Sequence, residues 1–233
     1  MWDKFIDLSE ELKLIFDENA SRDPDDRIWN ECHTNHFWRS SKLEMGHMSI
    51  IDMRDSKGMW MMHVNAYSVD ETPMPIYGFD VVCGKNKVTG CFHDMSPTNA
   101  KDHPVCRKFQ KQVSPFVPQR TRELPDWATE IFSGSMIAAG NVKDEKEADR
   151  LVSFAIQHLK DWFEFVNSLN AEQVLKWNGS EWYNVDVPHS SHLAGKTKYC
   201  ENQLKNENSR NVMVSLGLEE GYVDSFKRIQ FPF

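Results

Sequence analysis

Two side chains that can exchange protons stand in apolar stretches of the sequence, seventeen residues apart. His63 lies in the middle of the apolar run MWMMHV (residues 59–64), and Asp80 ends the run IYGFD (residues 76–80). Strand alternation places each at a partly buried position, where a carboxylate needs a partner. On the pattern alone, a satisfied core histidine and a strand-end capping aspartate are the more frequent roles. A pair that works in acid–base chemistry is the alternative.

Several other kinds of site lack their usual signal. The sequence contains neither GxGxxG nor GxxxxGK[ST], so nucleotide cofactors have no glycine loop to bind. The spacing Cys32-His33-x-x-His36 fits no closed zinc pattern, and we expect a loop with surface histidines and no metal there. The five cysteines are scattered without a CxxC pair, which indicates a reduced, cytoplasmic protein.

Composition narrows the class of protein further. The 233 residues are 40% hydrophobic and 27% charged, values typical of a globular chain with one sizeable core. No apolar run approaches the ~20 residues of a membrane span, and the net charge of -8 argues against nucleic-acid binding. We therefore expect a single domain over residues 1–233, acting as a monomer. Its 8 Trp, 14 Phe and 11 Met indicate a dense core or a wide apolar pocket for a flat ligand.

The elements that would position the two side chains follow from periodicity. Residues 2–19 carry apolar positions at helical spacing, and residues 144–169 show a long apolar stripe with acidic residues in the first turn. Residues 196–216 predict another helix that ends at Gly217. Between them, residues 45–95 alternate short apolar runs with turn signals, as in an antiparallel meander, and residues 131–139 are a further candidate strand. Together these patterns predict the α+β class.

Four stretches then resemble one enzyme family, the ferredoxin-dependent bilin reductases. The run MPIYGFDVV (residues 74–82) resembles the family's PIFGxDxV strand, and HDMSP (93–97) resembles its xDLSP turn. The run RELPDW (122–127), with IFS (131–133), resembles RELPEWxxIFS. The run YCENQLKNENSR (199–210) resembles YCxxQxxNDKTRR, and the final FPF stands where the family has LFD. The matches occur in the family's order.

The branch most similar to this chain is that of the phycocyanobilin:ferredoxin oxidoreductases, in which a histidine also precedes the strand aspartate by seventeen residues. Two departures touch the expected pocket. The branch has a glutamate twelve residues before the histidine, where this chain has Ile51, and a one-residue change in the hairpin would place Asp52 there instead. The motif NDK becomes Asn206-Glu207-Asn208, which keeps the carboxylate and loses the lysine.

The resemblance implies a fold, a reaction and a set of roles. The fold is an α/β/α sandwich, a central antiparallel sheet flanked by helices. The substrate is biliverdin IXα, which is reduced without a bound cofactor through radical intermediates by electrons from a [2Fe–2S] ferredoxin. Asp80 would be the general acid and His63 its partner, with Glu207 or Asp52 serving a second protonation. Arg122 would clamp a propionate, and the other expected pocket contacts are Thr89, Gln203, Asn206, Asn208 and Arg210.

The altered acids at Glu207, Asn208 and Asp52 favour one product over another. A short, phage-associated offshoot of the branch makes phycoerythrobilin by way of 15,16-dihydrobiliverdin, and we expect that product in a cyanobacterial or phage-infected cytosol. Phycocyanobilin is the alternative product. A bilin-binding protein without turnover is the alternative function.

An electron donor would need a docking surface, and basic residues concentrate in one segment. Residues 98–122 hold six basic residues against Asp102 alone. This segment is either an ordinary solvated loop or a surface that steers acidic ferredoxin to the protein. The expected docking residues are Lys101, Arg107, Lys108 and Lys111.

Overall fold

One antiparallel sheet organises the protein. The structure, a computed structural model, describes residues 1–23, 27–70, 72–98, 103–169 and 189–233. Within these ranges the strand order is β1-β3-β4-β5-β6-β7-β8, and β2 pairs with β3 beside β1. The strands are β1 (Ser21–Arg22), β2 (Arg27–Asn30), β3 (His33–Arg39), β4 (Leu43–Met53), β5 (Met59–Ser68), β6 (Ile76–Gly84), β7 (Lys87–Ser96) and β8 (Ile137–Val142).

The meander from β4 to β7 contains the longest strands and follows the predicted turns. A short helical turn, α2 (Arg54–Lys57), joins β4 to β5 and ends at Gly58, whose φ of 63° is the left-handed conformation that glycine adopts without strain. Lys85 and Asn86 alone separate β6 from β7. These short connections force neighbouring strands to pair directly, and they place His63 opposite Asp80 in the register.

Helices cover both faces of the sheet, as the α+β prediction required. They are α1 (Trp2–Asn19), α3 (Pro104–Val113), α4 (Asp126–Thr129), α5 (Glu145–Ser168), α6 (His189–Leu204), α7 (Glu207–Ser215) and α8 (Glu220–Gln230). The predicted helices at residues 2–19 and 144–169 are confirmed. In the second, Asp144 is the N-cap and its carboxylate accepts from the backbone N–H of Lys146 at 2.9 Å. Among the described helices, none has the length and apolar character to cross a bilayer.

The sheet has two faces, the α5 face and the C-terminal face, which differ in what covers them. The α5 face packs against α1, α3 and α5 through one large apolar core, in which Trp60, Val64 and Phe79 are at most 2% exposed. The C-terminal face packs against α6 and α8 and the final residues through two smaller clusters, one around Tyr67 and Tyr199 and one around Phe226. Because side chains alternate along a strand, every strand contributes to both faces.

Two predicted elements differ in the structure. The helix expected over residues 196–216 is two helices, α6 and α7, separated at Lys205 and Asn206. Asn206 begins the second by accepting from the backbone N–H of Ser209. The strand expected over residues 131–139 begins only at Ile137. The preceding turn is tethered instead, because the buried Asp94 carboxylate accepts from both the backbone N–H and the hydroxyl of Ser133.

Candidate active site

His63 and Asp80 form a hydrogen-bonded pair on the C-terminal face. They are direct cross-strand neighbours on β5 and β6, and Nδ1 of His63 bonds to Oδ1 of Asp80. The His63 side chain is 11% exposed, whereas that of Asp80 is 43% exposed. The edge of the Phe231 ring, 5.6 Å from the His63 ring, covers the histidine from the C-terminal end of the chain. The carboxylate is therefore the accessible member of the pair, and the imidazole is the shielded member.

The same face carries a row of polar side chains across three adjacent strands. On each strand a histidine is followed two residues later by an amide or a hydroxyl, so both members point to one side. The register places Ser49 between Asn35 and His63, and His47 opposite Asn65. The three pairs are His33 and Asn35 on β3, His47 and Ser49 on β4, and His63 and Asn65 on β5.

Hydrogen bonds connect the first two of these pairs into a chain. Nδ1 of His33 bonds to the Tyr222 hydroxyl from α8, and Nε2 of His33 lies 2.8 Å from Oγ of Ser49. The Asn35 amide then joins His33 to His47, whose Nε2 donates to Oδ1 of Asn35 at 2.9 Å. Burial lowers the pKa of His33 to about 4 and that of His47 well below its ordinary value. These two rings are neutral at physiological pH.

Three buried atoms of this row have no hydrogen-bond partner among the described residues: Nδ1 of His47, Nε2 of His63 and Oδ1 of Asn65. The His47 and His63 rings lie 6.2 Å apart. Buried polar atoms are nearly always paired in native proteins, so a cluster of unpaired ones marks a place that a ligand or a water completes. A proton donor that is partly accessible and adjacent to such a cluster can protonate a bound ligand.

The structure corrects the position expected for Asp52. Ile51, and not Asp52, points to the face of His63 and Asp80, since Ile51 pairs with Met61 and packs in the apolar cluster around Phe226. Asp52 pairs with Trp60 in the register and so belongs to the α5 side of the strand. Its carboxylate makes a two-point ion pair with Arg54, which holds the pKa of Asp52 below its ordinary value. Asp52 therefore does not share a face with His63 and Asp80.

The motif of residues 199–210 is divided by the break between α6 and α7. Tyr199 and Gln203 are buried against the sheet, and Nε2 of Gln203 donates to the Tyr199 hydroxyl at 3.0 Å. Glu207 and Asn208 are exposed beyond the break. Arg210 forms ion pairs with Glu220 and Asp224. An open surface groove there is lined by Leu204, Lys205, Glu207, Arg210, Asp224, Lys227 and Arg228.

Arg122 lies on the Asp80 side of the sheet, at the edge formed by β8. A Cβ on Gly140 would come within 2.8 Å of Nε of Arg122, so the guanidinium can cross this strand only because residue 140 is glycine. The guanidinium donates to the backbone carbonyl of Thr89 at 2.6 Å, and the Thr89 hydroxyl donates to the backbone carbonyl of Val82. Gly90 pairs with Gly140 on the same face, where the Phe92 ring lies over Gly90 and the Arg122 side chain lies over Gly140.

The expected docking residues fall on α3, apart from Lys101, which lies outside the described residues. Arg107, Lys108 and Lys111 are exposed on this helix. Lys108 forms an ion pair with the buried Asp161 at 2.9 Å. Because α3 packs on the α5 face, this basic helix and the His63–Asp80 pair lie on opposite sides of the sheet.

Four features of this row were not predicted from the sequence: the involvement of Asn65, His47 and Ser49, and the burial of His33. The expected surface loop around His33 is wrong, since His33 is fully buried in β3. The signal was present in the repeated pattern of histidine, any residue, then asparagine or serine on three successive strands. Within the described ranges, no group of three histidine, cysteine or carboxylate side chains has an arrangement able to hold a metal ion.

The sequence matches one protein family. A sequence profile described as ferredoxin-dependent bilin reductase matches residues 6–221. The chain is 24% identical to phycocyanobilin:ferredoxin oxidoreductase of Gloeobacter violaceus, over 86% of this chain and 72% of that protein. It is 25% identical to the protein of the same name from Synechococcus sp. strain CC9605, over 77% of this chain and 67% of that protein.

Two solved structures share the fold. One, titled PcyX, has a TM-score of 0.65 and 24% identity, with 96% of this chain and 94% of that chain covered. The other is phytochromobilin synthase from tomato in complex with biliverdin, with a TM-score of 0.68, 11% identity and coverage of 94% and 80%. At these identities the likeness concerns the architecture alone.

Proposed function

The chain belongs to the ferredoxin-dependent bilin reductase family, and from that membership we propose that it reduces biliverdin IXα to phycoerythrobilin. The reaction adds four electrons, delivered singly by reduced [2Fe–2S] ferredoxin, and four protons, first across the 15,16 bridge and then at the A-ring diene. The observation that carries the proposal is the His63–Asp80 pair, a shielded imidazole bonded to an accessible carboxyl group beside unpaired buried polar atoms.

The names of the relatives support the donor and the substrate. The two curated relatives are named as ferredoxin oxidoreductases that form a bilin, and the tomato structure of similar fold contains biliverdin. A conjugated tetrapyrrole can hold a single added electron as a radical. The protein's task is then to hold the ring system still and to supply protons.

Asp80 is the proposed general acid for the first protonation. Its carboxyl group is accessible to a ligand lying on the C-terminal face, and His63 behind it can share or return the proton. Glu207 is proposed for a second protonation at the other ring end, next to Asn206 and Asn208. Arg122 is proposed to clamp a propionate, since a guanidinium pairs with a carboxylate through two hydrogen bonds. Thr89, Gln203 and Arg210 complete the proposed pocket.

The choice of phycoerythrobilin rests on the acid missing beside His63. In the phycocyanobilin branch that this sequence resembles, a glutamate stands in the strand before the histidine. Here Ile51 occupies the place of that glutamate and cannot donate a proton, and the residue opposite His63 is Ser49, whose hydroxyl is too weak an acid to replace a carboxyl group. Without an acid at that place, reduction of the vinyl groups at both ring ends is disfavoured, and a first reduction across the 15,16 bridge, with Asp80 as the proton donor, is favoured.

The proposed donor surface is the basic helix α3, with Arg107, Lys108 and Lys111 contacting ferredoxin and Lys101 preceding the helix. Attraction between these basic residues and the acidic ferredoxin would steer the two proteins together and would make the association rate depend on salt. The protein is proposed to act as a monomer.

An anaerobic assay with biliverdin, reduced ferredoxin and chromatographic standards tests the proposal. We expect a green complex that converts through 15,16-dihydrobiliverdin to phycoerythrobilin. Phycocyanobilin as the main product would overturn the product assignment and leave the reductase in place. A green complex with an unchanging spectrum after reduced ferredoxin is added would leave a bilin-binding protein without turnover.

A further inference from the structure

Asn65 has an orientation that leaves an acceptor unused. It is fully buried on β5, and its Nδ2 donates to the Tyr67 hydroxyl at 2.9 Å. The Tyr67 hydroxyl donates its own hydrogen to the carbonyl of Gln230, so it can only accept from Asn65. The amide nitrogen is thereby turned towards Tyr67, and Oδ1 points the other way without a partner among the described residues.

Tyr199 offers a donor at the same place. Its hydroxyl oxygen accepts from Gln203, and among the described residues no acceptor receives its hydrogen. Burial raises the pKa of Tyr199 well above its ordinary value, so the phenol keeps its proton. The C-terminal face therefore carries an acceptor on Asn65 and a donor on Tyr199, neither of which has a partner among the described residues.

Gly78 shows that the two groups converge. A Cβ built on Gly78 would lie 3.4 Å from the Tyr199 hydroxyl and 3.6 Å from Oδ1 of Asn65. Gly78 pairs with Asn65 in the register and is partly accessible, although Asn65 and Tyr199 are at most 3% exposed. Gly78 is thus the partly accessible residue between an acceptor and a donor, two residues along the strand from Asp80.

We propose that Asn65 and Tyr199 form a subsite for one lactam end of the tetrapyrrole, an inference that rests on the proposed function. A lactam carries an N–H donor beside a C=O acceptor. Oδ1 of Asn65 accepts from the N–H, and the Tyr199 hydroxyl donates to the carbonyl. Two residues of strand separate Gly78 from Asp80, roughly 6.6 Å, which places Asp80 over the adjoining pyrrole ring. The subsite therefore sets which end of biliverdin is presented to Asp80.

Titration of biliverdin without ferredoxin, followed by absorbance, tests the acceptor. Asn65→Leu removes the acceptor at similar volume and is expected to weaken binding about three- to tenfold, the range typical of one hydrogen bond. Tyr67→Phe is the matched control: it removes the Asn65–Tyr67 bond, so that the amide can take either orientation, and Oδ1 remains available to the ligand. We expect it to bind biliverdin within about twofold of the wild type. Equal weakening by the two variants would mean that Asn65 acts only by holding Tyr67, and would overturn the proposal.

A biliverdin analogue with its lactams O-alkylated to lactim ethers gives a second readout. It lacks the N–H and the free carbonyl, so the wild type should bind it more weakly than biliverdin, whereas Asn65→Leu should discriminate less between the two. Undiminished discrimination by Asn65→Leu would overturn the subsite while the wild type still reduces biliverdin. A wild type that binds no biliverdin would overturn the proposed function and the subsite together.

Discussion

Phe79 and Asp80 are consecutive residues that belong to two different environments. The Phe79 side chain points to the α5 face, where it is fully buried in the large apolar core. The Asp80 side chain points to the C-terminal face, where 43% of it is exposed and its partner is a histidine. The C-terminal face also holds Asn35, His47 and Asn65, each at most 1% exposed. One sheet thus presents a packed side and a reactive side.

The difference shows how a single set of strands separates stability from chemistry. On the α5 face, well-packed apolar side chains supply the free energy of folding. On the C-terminal face, buried polar groups reduce that free energy wherever they lack partners, and the unpaired atoms of His47, His63 and Asn65 are such groups. Packing on the α5 face can offset the destabilisation by unpaired polar groups on the C-terminal face, because both faces belong to the same strands.

The largest expected effect is on the reactive side, from Asp80→Asn. The amide preserves shape and contact with the ligand but cannot donate a carboxylic proton. Turnover should fall about 10²- to 10⁴-fold, the usual cost of losing a positioned acid, while biliverdin binding and the free energy of unfolding change little. Single-turnover spectra with electron paramagnetic resonance should show the bilin stalled as a one-electron radical.

His63→Gln sharpens this result, because it removes the partner of Asp80 and not the donor. We expect a shorter-lived radical and a smaller loss of turnover than with Asp80→Asn. Turnover near the wild-type rate in Asp80→Asn would mean that Asp80 only caps the strand, and would remove the proposed role of this pair.

Phe79→Ala should have the opposite profile, although it alters the preceding residue. Truncating a fully buried phenylalanine typically costs about 3–5 kcal/mol, because transfer free energy is lost and a cavity remains. The change should appear as a lower denaturant midpoint. Turnover per folded molecule should stay near that of the wild type at a temperature where the variant is folded. A selective loss of turnover in the folded variant would show that the two faces are coupled.

A buried histidine pair is the polar exception on the α5 side. Nε2 of His93 accepts from Nδ1 of His158 at 2.7 Å, because Nδ1 of His93 donates to the carbonyl of Gly78. Burial lowers the pKa of His93 to about 4 and that of His158 to about 2. Between pH 6.5 and 4 the unfolded chain therefore binds protons that the folded protein does not, so stability is present above pH 6.5 and falls on acidification.

His158→Asn removes one of these titrating groups and keeps a donor near Nδ1. Each histidine should cost the wild type roughly 2 kcal/mol of stability between pH 7 and pH 5. Denaturant titrations should show a lower free energy of unfolding for the variant at pH 7. Between pH 7 and pH 5, that free energy should fall by about 2 kcal/mol less in the variant than in the wild type. An undiminished drop would assign the acid sensitivity to other groups.

The smallest expected effect concerns the side on which the donor docks. Reversing Arg107 and Lys111 to glutamate should slow ferredoxin-dependent turnover severalfold at low salt. The deficit should shrink towards ~0.15 M, where the screening length is about 8 Å. Biliverdin binding should be unchanged. Lys57 and Lys85, exposed at hairpin tips, provide a control reversal of equal charge.

A second pair of charge reversals shows on which side of the sheet ferredoxin docks. Lys205 and Arg228 line the groove on the C-terminal side of the sheet. If their reversal produces the larger salt-dependent deficit, the donor docks on the reactive side and not on α3.

Much of the fold and the centre of the site could be predicted from the sequence. Helical spacing identified α1 and, together with acidic residues in the first turn, α5, and short turns between apolar runs identified the meander. Such signals are local, so a single sequence contains them. His63 and Asp80, seventeen positions apart, stand on the two strands of one hairpin, and the register indeed pairs them directly. The break between α6 and α7 escaped prediction because Asn206, although a favourable N-cap residue, stands within an apparently continuous helical pattern.

The sequence by itself determined which residue types are present and which local elements they form, and therefore the family. Only the tertiary structure decided which residues share a face. A one-residue shift of register moves a side chain to the other side of a sheet, and the register of the β4–β5 hairpin places Ile51, not Asp52, on the face of His63. The meeting of Asn65 and Tyr199 over Gly78 joins residues 134 positions apart in the chain. No local pattern records such a contact, because it arises only when α6 packs against the sheet.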